Sequence, residues 1–297
     1  MNYLLKHLFI PVFALMQLPA FSQAYQQGFE DFEQPFIVAA DSIIKQGASI
    51  SATDATSQLT NNQAPVSVSL TRKNKKKLHA NQIYERASAA TVIISGACLC
   101  SKCSHTHINP ATGYFISQDG VCVTNYHVVE SYCHPGDNMK PLAFVVRLRD
   151  GRTFPVKKVL TSSGQNDLAV LLIDTHGEKV PSLALATEAN VGDNVFIVSH
   201  PQKMFYTFSE GMVTLKFRDK VPAPNGNGYM ERNFMAVSAG FATGSSGAAV
   251  LDRYGNVTGT VYATRTLVHE GLEGKPVQMV VKSTIPVSAL KELVQPF

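Results

Sequence analysis

The feature that most constrains this chain is a long succession of short apolar runs, each cut off by turn residues. They include "YFIS", "VCVTN", "LAFVVRLRD", "DLAVLLID", "NVFIVSH", "GMVTLKF", "FMAVSA", "AAVLD", "NVTGTVYATR" and "VQMVVKSTI". Turn pairs such as Asp150-Gly151, Gly192-Asp193 and Gly255-Asn256 punctuate them. No amphipathic helix of roughly ten residues separates one run from the next, which excludes a wound βαβ sheet and predicts an all-β barrel or sandwich. The composition agrees, with 16 Phe and 10 Tyr among many Val, Ile and Thr, and only 16% charged residues. At 297 residues and 45% hydrophobic content, the chain can bury one large core or two smaller ones. Helical pattern is confined to "NQIYER", ahead of the strand "ATVIISG", and to "PVSALKELVQ" at the end, with Pro286 at its first turn.

The N-terminal region reads differently. Lys6 and His7 precede the apolar "LFIPVFALMQLPAF", and small residues follow at Ala20, Ser22 and Ala24. This predicts a secretory signal over residues 1–24, too short and interrupted for a comfortable membrane span. The remainder is expected to be exported, periplasmic or secreted, without stable membrane association. Residues 25–80 carry little sustained pattern and read as a leader, pro-segment or linker, with short strands at "PFIVAA" and "PVSVSL". Much of the formal charge of +4 sits in "RKNKKK", residues 72–77. No aromatic residues interleave that run, so it reads as a solvated segment and no nucleic-acid partner is expected.

There are five cysteines, so at least one has no partner within the chain. Cys122 lies in an apolar alternating run and reads as a buried free thiol. Cys98, Cys100 and Cys103 crowd into "CLCSKC", with Cys133 further on, and export favours a disulfide between that cluster and Cys133. The alternative is a structural zinc site using the cluster with His105, His107 and Cys133 or His134, although the spacing matches no paired-knuckle pattern. Neither reading places a metal or cofactor in the chemistry.

Three segments carry that chemistry. "TNYHVV" places His127 where a strand gives way to a short helix. "GQNDLAVLLID" places Asp167 at the mouth of an apolar strand. "TGSSGAAVLD" is a Gly-x-Ser-Gly turn, whose glycines admit backbone conformations that aim amide N–H groups at one point. Each is weak alone, but a His, an Asp and a Ser in this order form the set needed for acyl transfer.

"TGYFISQDGVCVTNYHVV", "NDLAVLLI" and "TGSSGAAVLDRYGNVTG" together resemble the three catalytic segments of chymotrypsin-fold serine proteases, most of all the HtrA type. The resemblance extends to "IYERASAATVII" and "STIPVSALKEL" and covers residues 81–297. It implies two six-stranded antiparallel β-barrels, about 81–180 and 181–297, with an active site in the cleft between them. It also implies His127 as general base, Asp167 as the carboxylate that orients it, Ser246 as nucleophile, and the N–H groups of Gly244 and Ser246 as the oxyanion hole. Ser245 stands where the family commonly has Asn or Asp, and Ala248 replaces a glycine. No PDZ module follows within these 297 residues, so PDZ-driven activation is not expected. The same alignment places Gly240 and Phe241 near the base of the primary specificity pocket. Thr260, Val261, Tyr262 and Ala263 then form the wall along which a polypeptide substrate pairs as an added strand. No Asp lies at the pocket base, so a small or medium apolar residue is expected before the scissile bond. The alternative is a silent, protease-like binding module.

Overall fold

The computed structural model describes residues 29–223 and 226–297; the signal-peptide reading lies outside the described residues. The chain begins with α1 (Phe29–Gln46), α2 (Ala52–Asn61), β1 (Val66–Val68) and α3 (Ala80–Ala90). Then follow β2 (Thr91–Cys100), β3 (Thr106–Ile108), β4 (Ala111–Phe115), β5 (Val121–Thr124), α4 (Tyr126–Cys133), β6 (Met139–Leu148), β7 (Thr153–Ser163) and β8 (Leu168–Ile173). The second half contains β9 (Asn194–Ser199), β10 (Thr207–Pro222), β11 (Tyr229–Val237), β12 (Ala249–Leu251), β13 (Val257–Val268) and β14 (Val277–Pro286). It closes with α5 (Val287–Leu293) and β15 (Val294–Pro296).

The strands form the expected pair of antiparallel barrels. In the first half the sheet runs β3-β2-β4-β5-β8-β7-β6, and pairing of β2 with β6 closes it into a ring with β3 as an added edge. In the second half β10-β11-β14-β13-β12-β9 close a six-stranded barrel. The apolar run of β8 shows why these segments are strands. Leu168 and Val170 enter one hydrophobic cluster and Ala169 and Leu171 another, so the period-two alternation supplies both faces. Ile197, Met235 and Val250 fill the second barrel.

The region before residue 80 departs from its reading as a patternless leader. "PFIVAA" is not a strand but part of α1, because Phe36, Ala40 and Ile43 fall at helical spacing and all three are buried in the core. In α2, Ser51 caps the first turn by accepting the Asp54 N–H, and Ala55 and Leu59 face inward. Its polar side chains serve β7, whose ladder is irregular between Val156 and Thr161. There the Gln58 side chain accepts the Val159 N–H and the Asn62 side chain donates to the Val159 carbonyl. The "PVSVSL" reading does yield a strand, β1, which pairs in parallel with β15 and ties this region to the C-terminal end.

The basic run is anchored as well. Thr71 N–H reaches Ile116 O, Leu78 N–H reaches Arg253 O, and Asn74 exchanges hydrogen bonds with Asn256. Exposed lysines at positions 75–77 still offer trypsin a target. Limited trypsinolysis is therefore expected to nick within residues 72–77 while the two pieces co-elute on size exclusion until denatured. Release of the N-terminal piece, or equally fast cuts inside the barrels, would count against this docking.

Candidate active site

The junction between β5 and α4 sets His127. Tyr126 N–H and the Asn125 side-chain amide both donate to the Asp167 carbonyl, at 3.1 and 2.9 Å, and join the helix start to the turn before β8. Asp167 sits in that turn at φ +51°, a left-handed conformation that Asp tolerates better than most residues. Its carboxylate is directed back at His127. One oxygen accepts the His127 backbone N–H at 2.9 Å, and the other meets Nδ1 at 2.7 Å. Asp167 is only 5% exposed, so these bonds act away from bulk water. Another histidine near the site, His200, is wholly buried; desolvation lowers its pKa to about 3 and it stays neutral. Its Nδ1 accepts the Tyr206 N–H, so it holds structure behind the cleft.

The turn carrying the two serines is held by the first barrel. Thr112 of β4 donates its hydroxyl to Gly244 O at 2.8 Å and its N–H to Ser246 O at 3.0 Å. With both carbonyls drawn backwards, the Gly244 and Ser246 N–H groups bond to no other backbone among the described residues. Gly244, at φ +95°, has no room for a side chain, since a Cβ would lie 2.4 Å from His200 O. Gly247 is as constrained, with Thr112 O and Thr124 Oγ1 within 2.3 Å of where a Cβ would be. The adjacent serines separate by burial. Ser245 is fully buried, and its hydroxyl faces the Ala242 N–H at 3.4 Å, whereas Ser246 lines the cleft.

His127 and Ser246 stand between two lobes of that cleft. The first, about 450 Å³, also includes Asp167, Phe241, Val261, Tyr262 and Ala263. The second, about 490 Å³, is bounded by the β2–β3 hairpin and by Gly244. Two anticipated residues fall elsewhere. Thr260 points across the seam between the barrels, where its hydroxyl meets Tyr114 OH of β4 at 2.8 Å, one residue before the strand reaches the cleft. Gly240 is exposed but outside the lining, its carbonyl held by Ser209. Beyond Thr260, β12 no longer pairs with β13, so the edge at Tyr262–Thr264 faces the cleft open.

Arg232 and Lys282 contribute contacts that the motifs did not announce. Arg232, nearly buried, donates to Gln165 O and Gly164 O in the turn that carries Asp167, and its guanidinium lies 4.8 Å from the Tyr262 ring. It thus joins the second barrel to the Asp167 turn. Lys282 donates to Phe241 O and lies over the Phe241 ring, and desolvation holds its pKa below the usual lysine range. No sequence pattern marks either residue, since each acts on a partner far along the chain.

All five cysteines are free thiols. The bridge expected between the 98–103 cluster and Cys133 is not formed: Cys133 faces α2 beside Thr56, while Cys98 lines the second lobe. Cys122 is buried and unpaired, and desolvation drives its thiol far up.

Residues 111–259 match the family described as "Trypsin-like peptidase domain". The chain is 29% identical to Protease Do-like 5, chloroplastic, of Arabidopsis thaliana over 59% of its own length and 55% of that protein's. It is 32% identical to a "Probable periplasmic serine endoprotease DegP-like" of Brucella suis, over 50% of this chain and 26% of the relative. It therefore spans about half or less of the curated relatives it matches. The solved structure titled "Crystal structure of Deg5" superposes with a TM-score of 0.52 at 24% identity, covering 71% of this chain and 89% of that one; this likeness concerns the fold alone.

Proposed function

Because the chain belongs to the trypsin-like peptidase family, we propose that it is an exported serine endopeptidase working through Ser246, His127 and Asp167. One observation carries the assignment of roles: the Asp167 carboxylate binds both the backbone N–H and Nδ1 of His127, in the cleft that Ser246 lines. With Nδ1–H donated to Asp167, Nε2 is left as an acceptor. It takes the Ser246 hydroxyl proton as Oγ attacks the scissile carbonyl, and Asp167 stabilises the imidazolium that forms. The carbonyl oxygen becomes an oxyanion, and the unengaged N–H groups of Gly244 and Ser246 are suited to receive it. His127 then returns the proton to the leaving amine, giving an acyl-enzyme. Water attacks the acyl-enzyme by the same route and releases the product.

The substrate is a polypeptide bound as an added strand along the open edge at Tyr262–Thr264. Phe241 lines this lobe with an apolar ring that Lys282 overlies, which supports a small or medium apolar residue before the scissile bond. Export is supported by the N-terminal "LFIPVFALMQLPAF" and by the periplasmic naming of the DegP-like relatives. Among the described residues, no helix is long and apolar enough to cross a membrane. Residues 25–80 are read as a leader or pro-segment to the protease domain at 81–297, and contacts from the described part, such as those of α2 with β7, support its docking there.

A fluorophosphonate probe tests this function directly, because it reacts with an activated serine and spares ordinary ones. The native chain is expected to take up one probe at Ser246, mapped by peptide mass, with uptake abolished by denaturation and by His127→Ala. A native chain that stays unlabelled would instead be a silent module on a protease fold.

A further inference from the structure

The β2–β3 hairpin carries a group of ligand atoms that the protease reaction does not use. Its turn runs from Cys100 to Thr106 and is closed by Ser104 N–H to Cys100 O and by Cys100 N–H to His105 O, with Ser104 at φ +57°. This folding brings Cys100 Sγ, Cys103 Sγ and a ring nitrogen of His107 within 4.8 Å of one another. Cys103 Sγ and His107 Nε2 are 2.9 Å apart. Around a tetrahedral zinc ion with bonds of about 2.0–2.3 Å, ligand atoms sit roughly 3.5 Å apart. Cys103 and His107 are exposed and need open by less than about 1 Å to reach that spacing.

The donor set agrees with the geometry, since two thiolates and one imidazole are ligands that a zinc-like ion takes. A simple Cys100–Cys103 disulfide would leave the convergence of His107 without a purpose.

We propose that Cys100, Cys103 and His107 bind one divalent cation of zinc-like softness, with water in the fourth position. Each thiol gives up its proton to solvent on binding, and the metal gains two thiolates and one neutral imidazole. Zinc here is structural: it stiffens the hairpin that bounds the second lobe of the cleft, which His107 also lines. This site differs from the sequence-based alternative, since neither Cys133 nor His134 takes part. It does not depend on the protease reaction.

The test uses the full chain, purified without reductant or chelator, with metal content and thiols measured together. One zinc per chain is expected, with Cys100 and Cys103 alkylatable once the ion is removed. Cobalt(II) added to the stripped, reduced chain should give a thiolate-to-cobalt charge-transfer band that zinc abolishes. The band should vanish in Cys103→Ser and His107→Ala and persist in Cys133→Ser. A metal-free chain with a Cys100–Cys103 disulfide, a reduced chain with no cobalt band, or a band that survives both ligand variants would each overturn the site. Fluorophosphonate labelling is unaffected by these results, so this inference and the protease reading fail separately.

Discussion

Ser246→Ala is expected to lower kcat on an unfolded polypeptide substrate by about five to six orders of magnitude with the melting temperature unchanged. Ser245→Ala should keep most turnover and lose up to about 1 kcal/mol of stability with its hydrogen bond. The asymmetry follows from burial. Ser245 is sealed inside the turn against the Ala242 N–H, whereas Ser246 faces the cleft between the two lobes. Initial rates and thermal melts of the two variants side by side separate the roles. Should Ser245→Ala lose activity and Ser246→Ala keep it, the assignment of the turn is wrong.

The proposed reaction also depends on how the two barrels are joined. Thr112 belongs to the first barrel, yet it bonds the carbonyls of Gly244 and Ser246 in the serine turn, which belongs to the second. Arg232 does the converse, reaching from the second barrel to the turn that presents Asp167. Each barrel therefore positions the other's contribution. A rigid cleft results from polar contacts to backbone, which hold geometry more narrowly than apolar packing alone.

These cross-barrel contacts mark where the sequence stops being readable. The strands were legible because their alternation and turn residues are local. The His127, Asp167 and Ser246 segments, which the fold brings to one cleft, stand out in the sequence because each couples a polar side chain to a local backbone device: a strand–helix junction, a strand mouth and a glycine turn. Thr112 and Arg232 sit in unremarkable strand sequence, and nothing near them signals a partner more than 60 residues away. The same reason explains α1 and α2. "PFIVAA" has local strand character, and only the burial of Phe36, Ala40 and Ile43 against distant segments selects a helix. In α2, only Ala55 and Leu59 are apolar and buried amid a polar segment whose amides answer irregular groups on β7. The wall residues show a smaller failure of this kind. Val261, Tyr262 and Ala263 line the cleft, but Thr260 precedes the point at which β13 leaves β12.

Asp167→Asn should cost about 10⁴ in kcat while leaving substrate affinity and fold nearly intact. The wild-type carboxylate offers two acceptors, one to the His127 backbone N–H and one to Nδ1. An asparagine has a single acceptor, and the backbone N–H, which can only donate, claims it. The side-chain NH₂ then faces Nδ1 and donates to it, so the imidazole proton moves to Nε2. In that tautomer Nε2 cannot accept the Ser246 proton, and the base is silenced without being displaced. The tautomer is observable by ¹⁵N chemical shifts of the imidazole, which should show Nδ1–H in the wild type and Nε2–H in the variant. Equal tautomers with a large loss of kcat would mean that Asp167 acts through its charge alone. Unchanged kcat would remove it from the mechanism.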